Sequence, residues 1–227
     1  PAPGPVATLC RMNTLIALLG GTFDPIHIGH LRAALEARAA LNADVVRLLP
    51  NADPPHRQTP KVSARQRAEL CAAAIEGLPG LELDLRELAR QGPSYTVETL
   101  RELRGELGGE VSLALLMGAD AFVGLPTWHQ WARIPDLAHL VVLNRPDSPT
   151  HLPPVLETEL ARRGTAEASD LRRTPAGRIL RLEIPPLQIS ATELRAKLAA
   201  GAEVRFLVPD AVRDRILSEG WYRARGA

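Results

Sequence analysis

Short apolar runs alternate with longer amphipathic ones along this chain, and that alternation restricts its folds more than any other feature. "TLIALL" (14–19), "DVVRLLP" (44–50), "LELDL" (81–85), "VSLALLM" (111–117), "HLVVL" (139–143) and "RILRLEI" (178–184) read as strands. Most are nearly continuous in apolar residues, the pattern of strands buried on both faces. "HLRAALEARAAL" (30–41), "SARQRAELCAAAIEG" (63–77) and "SYTVETLRELRGELGG" (94–109) read as helices between them, and "ISATELRAKLAAG" (189–201) and "PDAVRDRILSEG" (209–220) as helices after them. Strands and helices in this order predict an α/β fold, a doubly wound parallel sheet with helices on both faces.

Local signals set the helix boundaries. Ser63 is placed to cap the second helix and Gly77 follows its end. Ser94 is expected to open the third helix. Ser190 and Glu193 have the spacing of a capping box, Gly201 ends that helix, and Pro209 stands near the start of the last one. Residues 146–178 are rich in Pro, Arg, Ser and Gly and lack a long period, so they are read as an insertion or excursion. The Pro/Ala/Gly-rich residues 1–13 are read as a flexible extension, leaving 14–227 as a single domain.

A chain of 227 residues can bury a core without disulfides or a structural metal. Its formal charge of +1 argues against a dedicated nucleic-acid binder. The arginines at 162, 163, 172, 173, 178 and 181 are the only basic cluster, and without interleaved aromatics they read as solvated surface. Cys10 and Cys71 form no CxxC pair, and Cys71 falls in a helical pattern as a small core residue. This usage fits a reducing, cytoplasmic setting. The apolar run 15–19 is too short to span a bilayer, and no membrane partner is expected. No histidine or cysteine spacing marks a protein-held metal.

The chemistry concentrates between the first strand and first helix, in "GGTFDPIHIGH" (20–30). A turn from strand to helix aims backbone N–H groups above the sheet, and the helix N-terminus adds partial positive charge, so the place suits an anion. Gly20, Gly21 and Gly29 are read as letting a ligand approach the backbone, and Asp24-Pro25 as fixing the turn. His27 and His30, three apart, can face the same phosphate and strengthen their hydrogen bonds as charge grows on phosphorus. The loop lacks GxxxxGK[ST] and GxGxxG, so it is neither a P-loop nor the usual dinucleotide fingerprint.

"GGTFDPIHIGH" resembles the HxGH signature of the nucleotidyltransferase superfamily, and "ISATELR" (189–195) resembles its ISSTxxR signature. Between them "PNADPPHR" (50–57), "PSYTVETL" (93–100), "MGAD" (117–120), "PTW" (126–128) and "LNRP" (143–146) resemble, in order, motifs of bacterial nicotinate-nucleotide adenylyltransferases. The resemblance implies a Rossmann-like fold and adenylyl transfer from ATP to nicotinate mononucleotide in NAD biosynthesis, with Mg²⁺ carried on the ATP phosphates. It implies ATP and phosphate contacts from Gly20, Gly21, Thr22, Phe23, His27, His30, Gly118, Asp120, Ile189, Ser190, Thr192 and Arg195. It implies mononucleotide contacts from Asn51, His56, Arg57, Tyr95, Thr96, Trp128 and Arg145.

Taken as residues alone, several of these keep a plainer alternative. Ser190 and Asp120 are also good helix caps, Trp128 could belong to the core, and Arg195, Arg145 and the His56–Arg57 pair could be solvated. Ala191 replaces the second serine of the family signature, leaving that position only its backbone N–H. Pantetheine-phosphate adenylyltransferases share the first signature but lack the middle motifs. A class I synthetase would need a KMSKS-like loop. A nucleotide sensor could keep the pocket without turnover. The sequence leaves the oligomeric state open.

Overall fold

The structure is a computed structural model that describes residues 14–52, 61–144, 151–185 and 187–223. The extension 1–13 and three expected site residues, His56, Arg57 and Arg145, lie outside the described residues.

Strand β1 (Leu15–Gly21) leads into α1 (Ile28–Leu41), β2 (Val45–Pro50), α2 (Ala64–Ile75) and the short β3 (Leu81–Leu83). The chain then passes through α3 (Arg86–Ala89) and α4 (Thr96–Leu107) to β4 (Ser112–Gly118). Two short helices, α5 (Ala119–Val123) and α6 (Ile134–Leu137), precede β5 (His139–Asn144). Helix α7 (Pro154–Arg163), β6 (Gly164–Thr165), β7 (Ile179–Glu183), α8 (Ala191–Ala199) and α9 (Asp210–Ser218) complete the fold. The sheet has the order β3-β2-β1-β4-β5-β7-β6, with every pairing parallel. It is the doubly wound, Rossmann-like sheet that the alternation predicts.

Strand side chains point to opposite faces in turn, and each face buries its own helices. Ala17, Leu19, Val46, Leu48, Leu116 and Val141 pack with α1, α2, α8 and α9. Leu18, Leu49, Leu113, Leu115, Leu140 and Val142 pack with α4 to α7. Because β1 and β4 are neighbours while their helices lie on opposite faces, the strand order reverses between them and a crevice opens at their carboxyl ends. The register of Gly21 with Pro50 and Gly118 with Leu143 brings the ends of β1, β2, β4 and β5 to one rim.

Three expectations need correction. The diglycine belongs to β1, where Gly20 and Gly21 pair with Leu49 and Pro50, so the turn is Thr22–His27. Helix α1 begins at Ile28, which puts His30 in its first turn with His27 as the cap. Helix α4 opens at Thr96 with Tyr95 as cap, while the Ser94 hydroxyl donates to Glu87 O at 3.4 Å. The segment 146–178, read as an insertion or excursion, is built into the fold in its described part. That part supplies α7, the edge strand β6 and a 3₁₀ turn over Ala168–Arg172, with Leu156 and Leu171 buried in the two cores. Proline and arginine hid this crossover, because its apolar contacts are few and widely spaced.

The arginines there are mostly ion-paired. Arg162 and Arg163 meet Glu159, Arg163 also meets Asp136, Arg172 meets Asp44, and Arg173 meets Asp170. Cys71 is buried, and desolvation pushes its thiol up to about 12. Among the described residues no helix is long and apolar enough to cross a membrane.

Candidate active site

The loop after β1 is shaped first by its own side chains. A Cβ on Gly21 would stand 3.0 Å from the Phe23 ring, and one on Gly29 would stand 3.0 Å from His27 Nδ1. Those two glycines make room for protein atoms. Gly20 has no atom within 4 Å of such a Cβ. Phe23 has a φ of 48°, in the left-handed region, and its buried ring meets His30 edge-on at 5.0 Å between centroids. Phe23 is thus the filler under the loop. Thr22 Oγ1 is buried with no hydrogen-bond partner among the described residues.

His27 and His30 stack, with ring centroids 3.7 Å apart and planes 21° from parallel. The His27 backbone N–H donates to His30 Nδ1 at 3.3 Å, and His30 N–H donates to His27 O at 2.9 Å. With Nδ1 accepting, a neutral His30 ring carries its proton on Nε2, as a donor suited to a phosphate oxygen.

The second signature closes on this loop. Arg195 of α8 donates through Nη1 to the Asp24 carbonyl at 2.7 Å and through Nη2 to Thr192 Oγ1 at 3.2 Å. Ile189 Cβ lies 3.6 Å from the position of a Cβ on Gly29. Leu207 O accepts from Ile28 N–H at 2.9 Å, tying the segment after α8 to the first turn of α1. Ser190 caps α8, accepting from Glu193 N–H at 3.3 Å. The return bond of the expected capping box does not form among the described residues, so Ser190 makes a simple cap.

Two residues of this site escaped the sequence reading. Arg67 is fully buried in α2 and donates to Thr22 O, Asn51 O and Ala52 O at 2.5, 2.8 and 2.5 Å, and to Asn51 Oδ1 at 3.5 Å. It binds the loop after β1 to the loop after β2. A signal was present, because Arg67 shares the helical face of Cys71 and Ala74, where a charge needs buried partners. Asp24 does more than form the turn. It is buried, and its Oδ1 accepts from the Tyr222 hydroxyl at 2.7 Å while Oδ2 accepts from Lys61 N–H at 3.2 Å. Burial, then the neighbouring Asp24 charge, pushes the Tyr222 phenol far above its ordinary range, so it remains a donor.

A second group of expected residues lies around α4 and the turns after β4. Tyr95 packs on His129 with centroids 4.3 Å apart, and Trp128 is half-buried at the edge of the adjacent core. Thr96 is the first residue of α4. Gly118 ends β4 in the open and caps α5, so exposed Asp120 in the first turn is not the cap. These residues share the sheet's carboxyl rim with the histidines.

A parallel sheet whose switch-point loop carries a histidine pair, closed by a second helix that brings an arginine, defines a Rossmann-like nucleotidyltransferase. Residues 18–197 match the cytidylyltransferase-like family model. A protein of Halorhodospira halophila named "Probable nicotinate-nucleotide adenylyltransferase" is 53% identical over 207 residues, covering 91% of this chain and 94% of the relative. One of the same name from Pseudomonas aeruginosa is 49% identical over 213 residues, covering 94% and 99%. The chain belongs to the nicotinate-nucleotide adenylyltransferase family. The Plasmodium falciparum nicotinic acid mononucleotide adenylyltransferase complexed with NaAD shares the fold, with a TM-score of 0.68 at 14% identity over 92% of this chain and 97% of that one.

Proposed function

We propose that this chain transfers the adenylyl group of ATP to nicotinate mononucleotide, forming nicotinate adenine dinucleotide and pyrophosphate. The observation that carries the reading is the Arg195–Asp24 contact, which seats the start of α8 against the histidine pair. One helix N-terminus, a second capped by Ser190, two imidazoles and a guanidinium converge on a place built for a polyphosphate.

The chemistry needs no protein nucleophile. A phosphate oxygen of the mononucleotide attacks the α-phosphorus of ATP in line, a P–O bond forms, and the bond to the β-phosphate breaks with its electron pair leaving on pyrophosphate. Catalysis then consists of positioning and charge stabilisation. His30, fixed as an Nε2–H donor, His27, Thr22 and Arg195 hold the triphosphate. Gly118 and Asp120 are assigned to the ATP ribose. Asn51, Tyr95, Thr96 and Trp128 are assigned to the mononucleotide, whose cationic ring suits stacking on an indole.

The donor set fits magnesium brought in on the triphosphate rather than held by the protein. Asp24 is already engaged by Tyr222 and Lys61, and no group of three His, Cys, Asp or Glu side chains among the described residues could hold a metal. Mg²⁺ keeps most of its water and takes substrate phosphates as ligands, where it would neutralise charge on the leaving pyrophosphate. Purified protein given ATP, nicotinate mononucleotide and Mg²⁺ should release pyrophosphate and the dinucleotide together. Chelator should stop turnover and leave the melting temperature of the nucleotide-free protein unchanged. ATP binding without product would make the chain a sensor and end this proposal.

A further inference from the structure

Tyr222 lies beyond the last helix, yet its hydroxyl reaches the loop of the histidines. The Asp24 carboxylate stands between it and Arg195. Oδ1 is taken by Tyr222 at 2.7 Å and Oδ2 by Lys61 N–H at 3.2 Å. Arg195 Nη1 bonds the Asp24 carbonyl at 2.7 Å but stays 3.7 Å from Oδ2, beyond hydrogen-bond reach. A carboxylate this close to a guanidinium would normally close to a two-point, charge-assisted pair. Here each of its oxygens holds another donor, and those two bonds orient the carboxylate away from a two-point pair. Tyr222 itself has a φ of 65°, off the favoured backbone regions, and its ring is buried in the core shared by α1, α2, α8 and α9.

The geometry points to Tyr222 as a positioning residue for the phosphate site: by holding Asp24 Oδ1 it keeps the carboxylate from closing on Arg195, so the guanidinium remains available to the triphosphate. The inference rests on the assignment of Arg195 to ATP. Without the hydroxyl, Asp24 turns toward Arg195 and competes with phosphate for the same N–H groups. The effect falls on the nucleotide triphosphate and not on the acceptor.

The test is calorimetric binding of α,β-methylene ATP with Mg²⁺, which needs no acceptor and no turnover. Tyr222→Phe keeps the ring and should bind the analogue about tenfold more weakly, the scale of one hydrogen bond to a charged group. Adding Asp24→Asn removes the charge that closes on Arg195, so the double variant should recover affinity. Tyr222→Phe with unchanged affinity, or a double variant weaker than Tyr222→Phe, overturns the assignment, because two merely structural losses would add. If Tyr222→Phe does not fold, Asp24→Asn alone decides: it should bind the analogue at least as tightly as the unmodified chain, and weaker binding overturns the inference. An unmodified chain that binds the analogue but makes no dinucleotide refutes the proposed acceptor and leaves the Tyr222 result standing. One that does not bind it refutes both.

Discussion

At the carboxyl end of the sheet, Arg67 donates to the carbonyls of Thr22, Asn51 and Ala52. At the amino end, Arg104 donates to the carbonyls of Leu137, Val111 and Pro175 at 2.8, 2.5 and 2.7 Å. Each guanidinium gathers carbonyls from different parts of the chain, Arg67 from two loops and Arg104 from three segments. A planar fork of five donors suits this, since loop carbonyls outside the sheet ladder need partners. The two ends differ in what they fasten. Arg67 is fully buried and holds the loop that carries His27 and leads into the helix of His30, together with the loop of Asn51. Arg104 is partly exposed, its charge disfavoured by desolvation, and it holds the lead-ins to β4, β5 and β7. The comparison teaches that one device fastens the loops of the proposed active site at one end and strand lead-ins at the other.

The largest effect should come from the chemical end. His30→Ala removes one preorganised donor and should lower kcat on the order of 100- to 1000-fold, with a much smaller change in ATP affinity. Steady-state kinetics decide it, and near-normal turnover would take His30 out of the mechanism.

The two arginines test the comparison directly. Arg67→Met leaves buried carbonyls without a donor and should cost roughly 3 kcal/mol of stability or more, and kcat/KM should fall beyond what the unfolded fraction explains. Arg104→Met should cost about 1–3 kcal/mol while the folded enzyme keeps its kcat/KM within about twofold. Denaturant melts paired with kinetics would reveal it, and equal catalytic damage at both sites would break the distinction.

A smaller effect sharpens it within the carboxyl end. We propose that the first turn of α4, which has no side-chain cap, and the Thr96 hydroxyl face the substrate carboxylate. The acid mononucleotide should be preferred over the amide by at least about tenfold in kcat/KM, the scale of one unpaired buried group. Thr96→Val should narrow that gap, while Trp128→Ala should weaken both substrates alike. Equal efficiency with acid and amide in the unmodified enzyme would refute this account of the subsite.

The smallest effect belongs to the amino end. His139 is fully buried at the start of β5, its Nδ1 accepting from Arg178 N–H at 2.9 Å and its Nε2 lying 2.8 Å from Thr174 O. Burial is the main cause that lowers its pKa below the ordinary 6.5. The folded state therefore resists a proton that the unfolded chain accepts below pH 6.5. Stability from this group is present above that pH and lost as pH falls toward the folded value, by at most ~1.4 kcal/mol per pH unit. Replacing His139 with Gln should flatten that acid limb in urea melts, and an unchanged limb would assign it to other groups.

What was legible in the sequence followed from periodicity and local chemistry. Continuous apolar runs placed the strands of the parallel sheet, and helical spacing placed α1, α2, α4, α8 and α9 to within a few residues. The family was legible because several motifs occur in one order along the chain. The crossover after β5 was not legible, because few apolar residues mark α7 and a two-residue strand has no period.

By itself the sequence determined the alternating architecture and the signature motifs, because these depend on neighbours a few positions apart. Only the tertiary structure decided what the long-range partners do. Gly21 and Gly29 yield space to Phe23 and His27, Arg67 gathers carbonyls from two loops, and Asp24 joins Tyr222 to Arg195 from opposite ends of the chain. A buried charge reads in sequence as one more polar residue. Its role is set by which donors and carbonyls the fold carries to it, since away from water each must find a partner within about 3 Å.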